Sequence, residues 1–236
     1  MGVRFPDMNR TLTFLAAAAL AAIAPQSASG QMQTLDEGTF VVTHNGAPAG
    51  RESFRIVRAV GPGGQAYKAT AQLVAGERRS VSALATDSAG GAVSYDVEVR
   101  ERGEPRARLQ SRARPGRFSI LLQTPRGESS REIVVTDAPL VLDDELFHQY
   151  FFVALVARSR PVTAVVPLGR RSFEAKLEER GPETIEIGSR STPARHWALV
   201  APGGASRDFW VDSKGRVLKV LIPETGVSAL RDELPR

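Results

Sequence analysis

The sequence predicts a mainly β protein, a strongly curved antiparallel meander forming a half-barrel or partly closed barrel, with one central helix packed in the concavity. Three observations point there. Short stretches of alternating apolar and polar residues recur from Gly38 onward, separated by turns rich in glycine and proline. Roughly a dozen such strands rarely remain a flat open sheet, so curvature is expected. One interior run, residues 142–157, is apolar on almost every side beyond its first turn, as suits a helix enclosed by other structure.

The chain opens with a leader pattern. Arg4 and Arg10 precede an apolar run over residues 11–24, and small residues follow through Gly30. This order, with an apolar stretch too short for a comfortable membrane span, predicts a secretory signal peptide over residues 1–30. An uncleaved N-terminal anchor is the alternative. Residues 31–236 are then expected to form a single β-rich domain, two small domains being the alternative. That product should be periplasmic or secreted and soluble after removal of the leader. The chain has no cysteine, which excludes disulfides, thiolate chemistry and a lipoprotein anchor; stability has to come from burial.

The strands follow in order. Phe40 and Val42 alternate in the first, the loop over residues 44–50 reverses the chain, and Phe54 with Ile56 face one side of the second. Tyr67, Ala69, Ala71 and Leu73 sit at period two, and Val81, Ala83 and Ala85 continue after a turn near Gly76. Val93, Tyr95, Val97 and Val99 form the clearest alternation, opposite Ser94, Asp96, Glu98 and Arg100. Further strands are expected near Leu109, Ile120 and Ile133. After the helix they resume over residues 162–168, 173–177, 184–187, 195–200, 208–211 and 217–222, and the tail over residues 224–234 reads as a short helix.

The central helix is expected over residues 143–157. Asp143, Asp144 and Glu145 complement a helix N-terminus, and Arg158 and Arg160 follow its C-terminal end. Glu145 and His148 are spaced i, i+3, which would let both face one metal ion, yet di-metal helical sites need a second such pair and none occurs. Capping by the acidic residues, with His148 hydrogen-bonded at the rim, is the expected role, and neither a metal nor a cofactor is expected. No serine lies in a Gly-x-Ser-x-Gly elbow, and no glycine-rich loop carries a phosphate-binding lysine. A hydrolase would need a site assembled from distant residues, for which His148, Asp144 and His196 are the candidates.

The formal charge is +5, and loss of the leader lowers it by one. Nucleic acid is a poor partner for an exported protein of such modest charge. The basic feature is Arg100 to Arg117, in which Arg106 and Arg108, and again Arg112 and Arg114, are two apart and share a strand face. These four could meet an anionic membrane surface, or form a solvated face that discourages edge pairing. Bulky aromatic residues, Phe147, Tyr150, Phe151, Trp197, Phe209 and Trp210, are either core or the lining of an apolar cleft able to take acyl chains.

Two stretches, residues 38–54 beginning Gly38-Thr39-Phe40 and ending at Phe54, and residues 207–220 around Phe209-Trp210-Val211-Asp212-Ser213-Lys214-Gly215, resemble the brackets of a family of exported bacterial β-rich domains of unknown function. The chain is also similar to the unclosed barrels of periplasmic lipoprotein carriers, though it has one central helix where several lid helices would be expected. The resemblance implies a curved sheet over an apolar cavity and, through it, ligand transport. The leading expectation is a non-enzymatic envelope protein that binds lipid or lipidated protein beside the helix. A structural or interaction module with a filled core, and a hydrolase, are the alternatives; oligomeric state is left open.

Overall fold

The structure is a computed structural model that describes residues 1–2, 31–61, 64–156 and 161–236. The expected signal peptide and its cut, apart from residues 1–2, lie outside the described residues, as do Arg158 and Arg160.

Alternation in the sequence becomes one sheet. Its first half is β1 (Gln31–His44), β2 (Ala47–Gly61), β3 (Gly64–Ala75), β4 (Arg78–Thr86), β5 (Ala92–Glu101), β6 (Glu104–Arg114), β7 (Arg117–Thr124) and β8 (Gly127–Val134). After the short β9 (Leu140–Val141) and the helical turn α1 (Tyr150–Val153) come β10 (Val162–Val166), β11 (Arg171–Ile187), β12 (Arg190–Val200), β13 (Ser206–Val211), β14 (Val217–Ile222) and β15 (Val227–Arg231). Two-residue turns drive the hairpins. Asn45-Gly46 and Arg102-Gly103 each place both residues at positive φ, the conformation whose twist matches a tight antiparallel hairpin.

The spatial order is β8-β7-β6-β5-β4-β3-β2-β1-β15-β14-β13-β12-β11-β10-β9, fifteen strands among the described residues. Two meanders therefore meet at an antiparallel seam between β1 and β15, where Phe40 opposes Arg231 and Val42 opposes Ala229. Among the described residues only β9 with β10 runs parallel. The sheet is not closed, because β8 and β9 are its edges. It is strongly wrapped nonetheless: Phe40 of β1, Tyr67 of β3 and Phe209 of β13 contact one interior segment through Phe147, Phe152 and Tyr150 respectively. Arg131 of β8 reaches the Arg170 carbonyl after β10, so the two edges approach at one point.

Three expectations are corrected. The helix over 143–157 shrinks to the single turn α1, with i→i−3 bonds from Leu155 to Phe152 and Val156 to Val153 continuing it. Its expected first turn is spent on tertiary contacts, since Leu142 extends the β-ladder to the Val165 carbonyl and the side chain of Asp143 bonds Tyr95 and Leu168. The expected C-terminal helix is a 3-10 turn at Pro223–Thr225 followed by β15, with Gly226 in the left-handed conformation between them. In β4 the buried face is Ser80, Ser82, Leu84 and Thr86, while Val81 is 46 % exposed. The turn after Ala75 sets Leu73 opposite Ser80, and that register turns the apolar alternate residues outward.

A main core fills the concavity, and a smaller one of Ile185, Ile187, Ala194, Trp210 and Leu218 lies apart from it. Trp210 and Phe209 are consecutive on β13 and so point to opposite faces. The second core thus covers the outer face of the C-terminal half.

Candidate functional site

The interior segment is a plug. Leu142, Asp143, Leu146, Phe147, His148, Gln149 and the whole of α1 are buried. Its anchors come from the sheet's inner face. Glu52 is in phase with Phe54 and Ile56 on β2, hence points inward, and is fully buried. Its carboxylate accepts the Phe147 backbone N–H at 2.7 Å and lies 2.5 Å from His148 Nδ1, with the His148 N–H at 3.4 Å. Glu52 therefore caps, from a distant strand, donors that precede α1. The His148 ring stacks on Phe54, and its Nε2 has no hydrogen-bond partner among the described residues.

A second anchor is Asp143. Tyr95 donates its hydroxyl to Oδ2 at 2.5 Å, the Leu168 N–H donates to Oδ1 at 2.9 Å, and the Asp143 N–H reaches Gln149 Oε1 at 2.7 Å. Burial lifts the Asp143 carboxyl from 3.8 to about 6, against the lowering effect of these two donors. Burial, and then the adjacent Asp143 charge, push the Tyr95 phenol well above its ordinary value. At the rim, Arg207 binds Asp144 and donates to the Leu142 carbonyl at 3.2 Å, while Arg171 holds the other Asp144 oxygen at 2.6 Å. Burial opposes the charge of Arg207, yet Tyr150 and Asp144 outweigh it and raise its pKa.

The aromatic candidates divide. Phe147, Tyr150, Phe151, Trp197 and Phe209 are all buried in the main core with α1, and Trp210 belongs to the second core. Trp210 stacks on His196 with ring centroids 4.2 Å apart and carries the Lys219 ammonium 4.4 Å from its ring centre. The hydrolase candidates are not brought together. His148 is held by Glu52 inside the sheet and Asp144 by two arginines at the rim, whereas both nitrogens of His196 face carboxylates, Asp208 at 2.8 Å and Glu183 at 3.3 Å. Glu145 turns away from His148 to Arg78 at 2.9 Å.

The arginine candidates share a face. Arg106, Arg108, Arg112 and Arg114 are exposed on the outer side of β6, while Leu109 and Ser111 between them are buried. Arg106 pairs with Glu101 at 2.9 Å and Arg112 with Asp96 at 3.0 Å; Arg108 and Arg114 have no ion-pair partner among the described residues. Arg108 and Arg112, with Arg79 and Arg100 from neighbouring strands, border an outer groove of about 740 Å³ whose floor includes Val81 and Ala83. Long side chains standing beside small ones make this depression.

The sequence reading did not single out Glu52, Arg207, Arg231, Asp36 or Arg79. For Glu52 a signal was present, a lone carboxylate at an inward position between apolar alternates. For Arg231 it was the same, since it continues the phase of Val227 and Ala229.

No family model matches this chain, and no curated protein matches it in sequence. Among solved structures it is similar to the crystal structure of a β-barrel-like protein of the domain of unknown function DUF1849 from Brucella abortus, with a TM-score of 0.51 and 9 % identity, covering 84 % of this chain and 97 % of that one. A DUF1089 family protein from Pseudomonas aeruginosa gives a TM-score of 0.37 at 12 % identity, over 89 % of this chain and 95 % of that one, and carries no argument. The first likeness concerns the fold alone: this chain has a barrel-like β architecture shared with a protein of unknown function.

Proposed function

We propose that the protein is a non-enzymatic module of the cell envelope, acting outside the cytoplasm, that binds an amphipathic envelope ligand, lipid or lipidated protein, on the outer surface of its sheet. The observation that carries this reading is the plug. Where an unclosed barrel offers an apolar concavity, Leu142, Phe147, Tyr150 and Phe152 of the chain itself occupy the space, each no more than 2 % exposed. Interior close packing at such burial leaves no room for an acyl chain, so binding falls to the outside. The leader pattern of residues 1–30 supports action beyond the cytoplasm.

A second reading has one observation in its favour. The plug holds a single turn of helix, and beside it His148 Nε2 and Gln149 Nε2 lack partners among the described residues, so a ligand that displaced the plug would disrupt an incompletely bonded segment. The test of the first reading is mass spectrometry of organic extracts from protein purified without detergent, together with sedimentation with lipid vesicles. Acyl species above those of a control protein, or vesicle binding, is expected; absence of both would sink the reading.

A further inference from the structure

The outer face of β4, β5 and β6 carries a charge arrangement that the chain leaves unfinished. Arg79 and Arg100 are direct cross-strand partners, two like charges set opposite each other, an arrangement that is unfavourable without a counter-charge. Arg108 stands opposite Glu98, its natural partner, but the Glu98 carboxylate is taken by Arg100 at 2.6 Å. Arg112 is satisfied by Asp96. Arg79 reaches the neutral side-chain amide of Gln72, at 2.6 Å. Four guanidinium groups therefore share two carboxylates around one depression, and among the described residues Arg79 and Arg108 are the two left without an anion.

The floor between them includes Val81, 46 % exposed, and Ala83. Val74, directly opposite Arg79 on β3 and 44 % exposed, stands beside the groove on the same face. Guanidinium groups match phosphate oxygens in a two-pronged fork, and exposed valines beside them suit the glycerol and upper acyl region of a lipid better than water. A volume of about 740 Å³ is large enough to receive a headgroup. The same face continues as Arg114 on β6 beside Arg117 on β7; Arg117 is paired with Glu132, so Arg114 is the group that extends the positive charge along the sheet.

We propose that this groove docks the phosphate-bearing headgroup of an anionic phospholipid at a membrane surface, with Arg79 and Arg108 as the phosphate-binding pair and Val74 and Val81 against the lipid's apolar part. The proposal rests on the amphipathic-ligand reading above and narrows it to one lipid class and one face.

The experiment is co-sedimentation of the full chain with vesicles of phosphatidylcholine alone and of phosphatidylcholine mixed with phosphatidylglycerol. Binding to the anionic vesicles only is expected, and the double variant Arg79→Gln/Arg108→Gln should weaken it at least about tenfold. A charge-matched control, Arg190→Gln/Lys214→Gln, removes two exposed cations from the other half, one at the start of β12 and one in the turn before β14, and should stay within about twofold of the parent. Thermal midpoints close to the parent's confirm that both variants fold. Equal losses in the two variants, or parent-like binding by the groove variant, overturns the groove. Lipid in the organic extract without vesicle binding also overturns it while leaving the amphipathic-ligand reading standing; failure of both measurements ends both.

Discussion

The seam between β1 and β15 and the attachment of the plug are both built on buried charge, but they are finished to different degrees. At the seam, Arg231 is 2 % exposed and fully surrounded. It pairs with Asp36, donates to the Val217 and Glu37 carbonyls at 2.8 and 3.0 Å, and lies over the rings of Phe40 and Phe54. A bulge at Leu35 turns Asp36 inward, and Gly38 has no side chain because the Arg231 guanidinium occupies that space. Among the described residues one atom of this pair, Asp36 Oδ1, has no partner, whereas around the plug His148 Nε2, Gln149 Nε2 and the hydroxyls of Ser80, Ser82 and Ser111 all have none. Two meanders are thus locked together by a nearly saturated cluster, and the segment inside them is held by one that is not. The seam makes the sheet; the plug is the element with freedom to change.

Breaking the seam should have the largest effect. Arg231→Met leaves Asp36 buried without its cation and removes two carbonyl-directed donors. Loss of one partner of a buried pair costs about 3–5 kcal/mol, read as a fall in the denaturant midpoint at constant slope. Burial already lifts Asp36 to about 6 despite Arg231, and pulls Arg231 below its ordinary value despite Asp36. Replacing both, as Asp36→Asn/Arg231→Met, should recover part of the loss, whereas strict additivity of the two single changes would mean that they do not act as a pair.

The plug is expected to respond to acidity in the opposite sense to ordinary carboxylates. Asp143 titrates near 6 in the folded protein and near 3.8 when free of it, so between those values the folded state binds the extra proton. Its contribution to stability is complete below about 4 and is lost as pH rises through about 6. That rise corresponds to a gain of about 3 kcal/mol on going from neutral pH to about 4. Asp143→Asn should remove this share of the dependence and leave that of Asp36, because the amide can still accept from Leu168 and donate to the Tyr95 oxygen. Thermal midpoints of parent and variant across this range decide it: parallel curves would show that Asp143 does not carry the effect.

The strands were legible because alternation and turn chemistry are local. Val93 to Val99 and the Asn45-Gly46 turn announce themselves within a few residues, and the sheet's extent followed. What escaped was set by contacts distant in the chain. The acidic residues Asp143 to Glu145 look like a helix start, yet each side chain is engaged by a residue far away: Tyr95, Arg207 and Arg171, or Arg78. Strand β15 was read as helix because its partner, β1, lies at the other end of the chain. The arginine face was visible as spacing on β6, but the groove needed Arg79 and Arg100, whose adjacency exists only after β4 and β5 pair.

The smallest expected effect sharpens the comparison most finely. Ser82 lies on the inner face of β4, between Ala71 and Val97 across the two neighbouring strands, and its hydroxyl has no partner among the described residues. A buried hydroxyl left without a partner costs about 1–3 kcal/mol, so its removal need not destabilise. Ser82→Ala takes away one oxygen from a small-residue region and should leave stability unchanged or raise it by up to about 1 kcal/mol. At the seam no such substitution is available, since each polar group there that is replaced forfeits a bond. A fall of more than about 1 kcal/mol in Ser82→Ala would mean that solvent bonds this hydroxyl into a completed network, and the plug's attachment would then be as finished as the seam's.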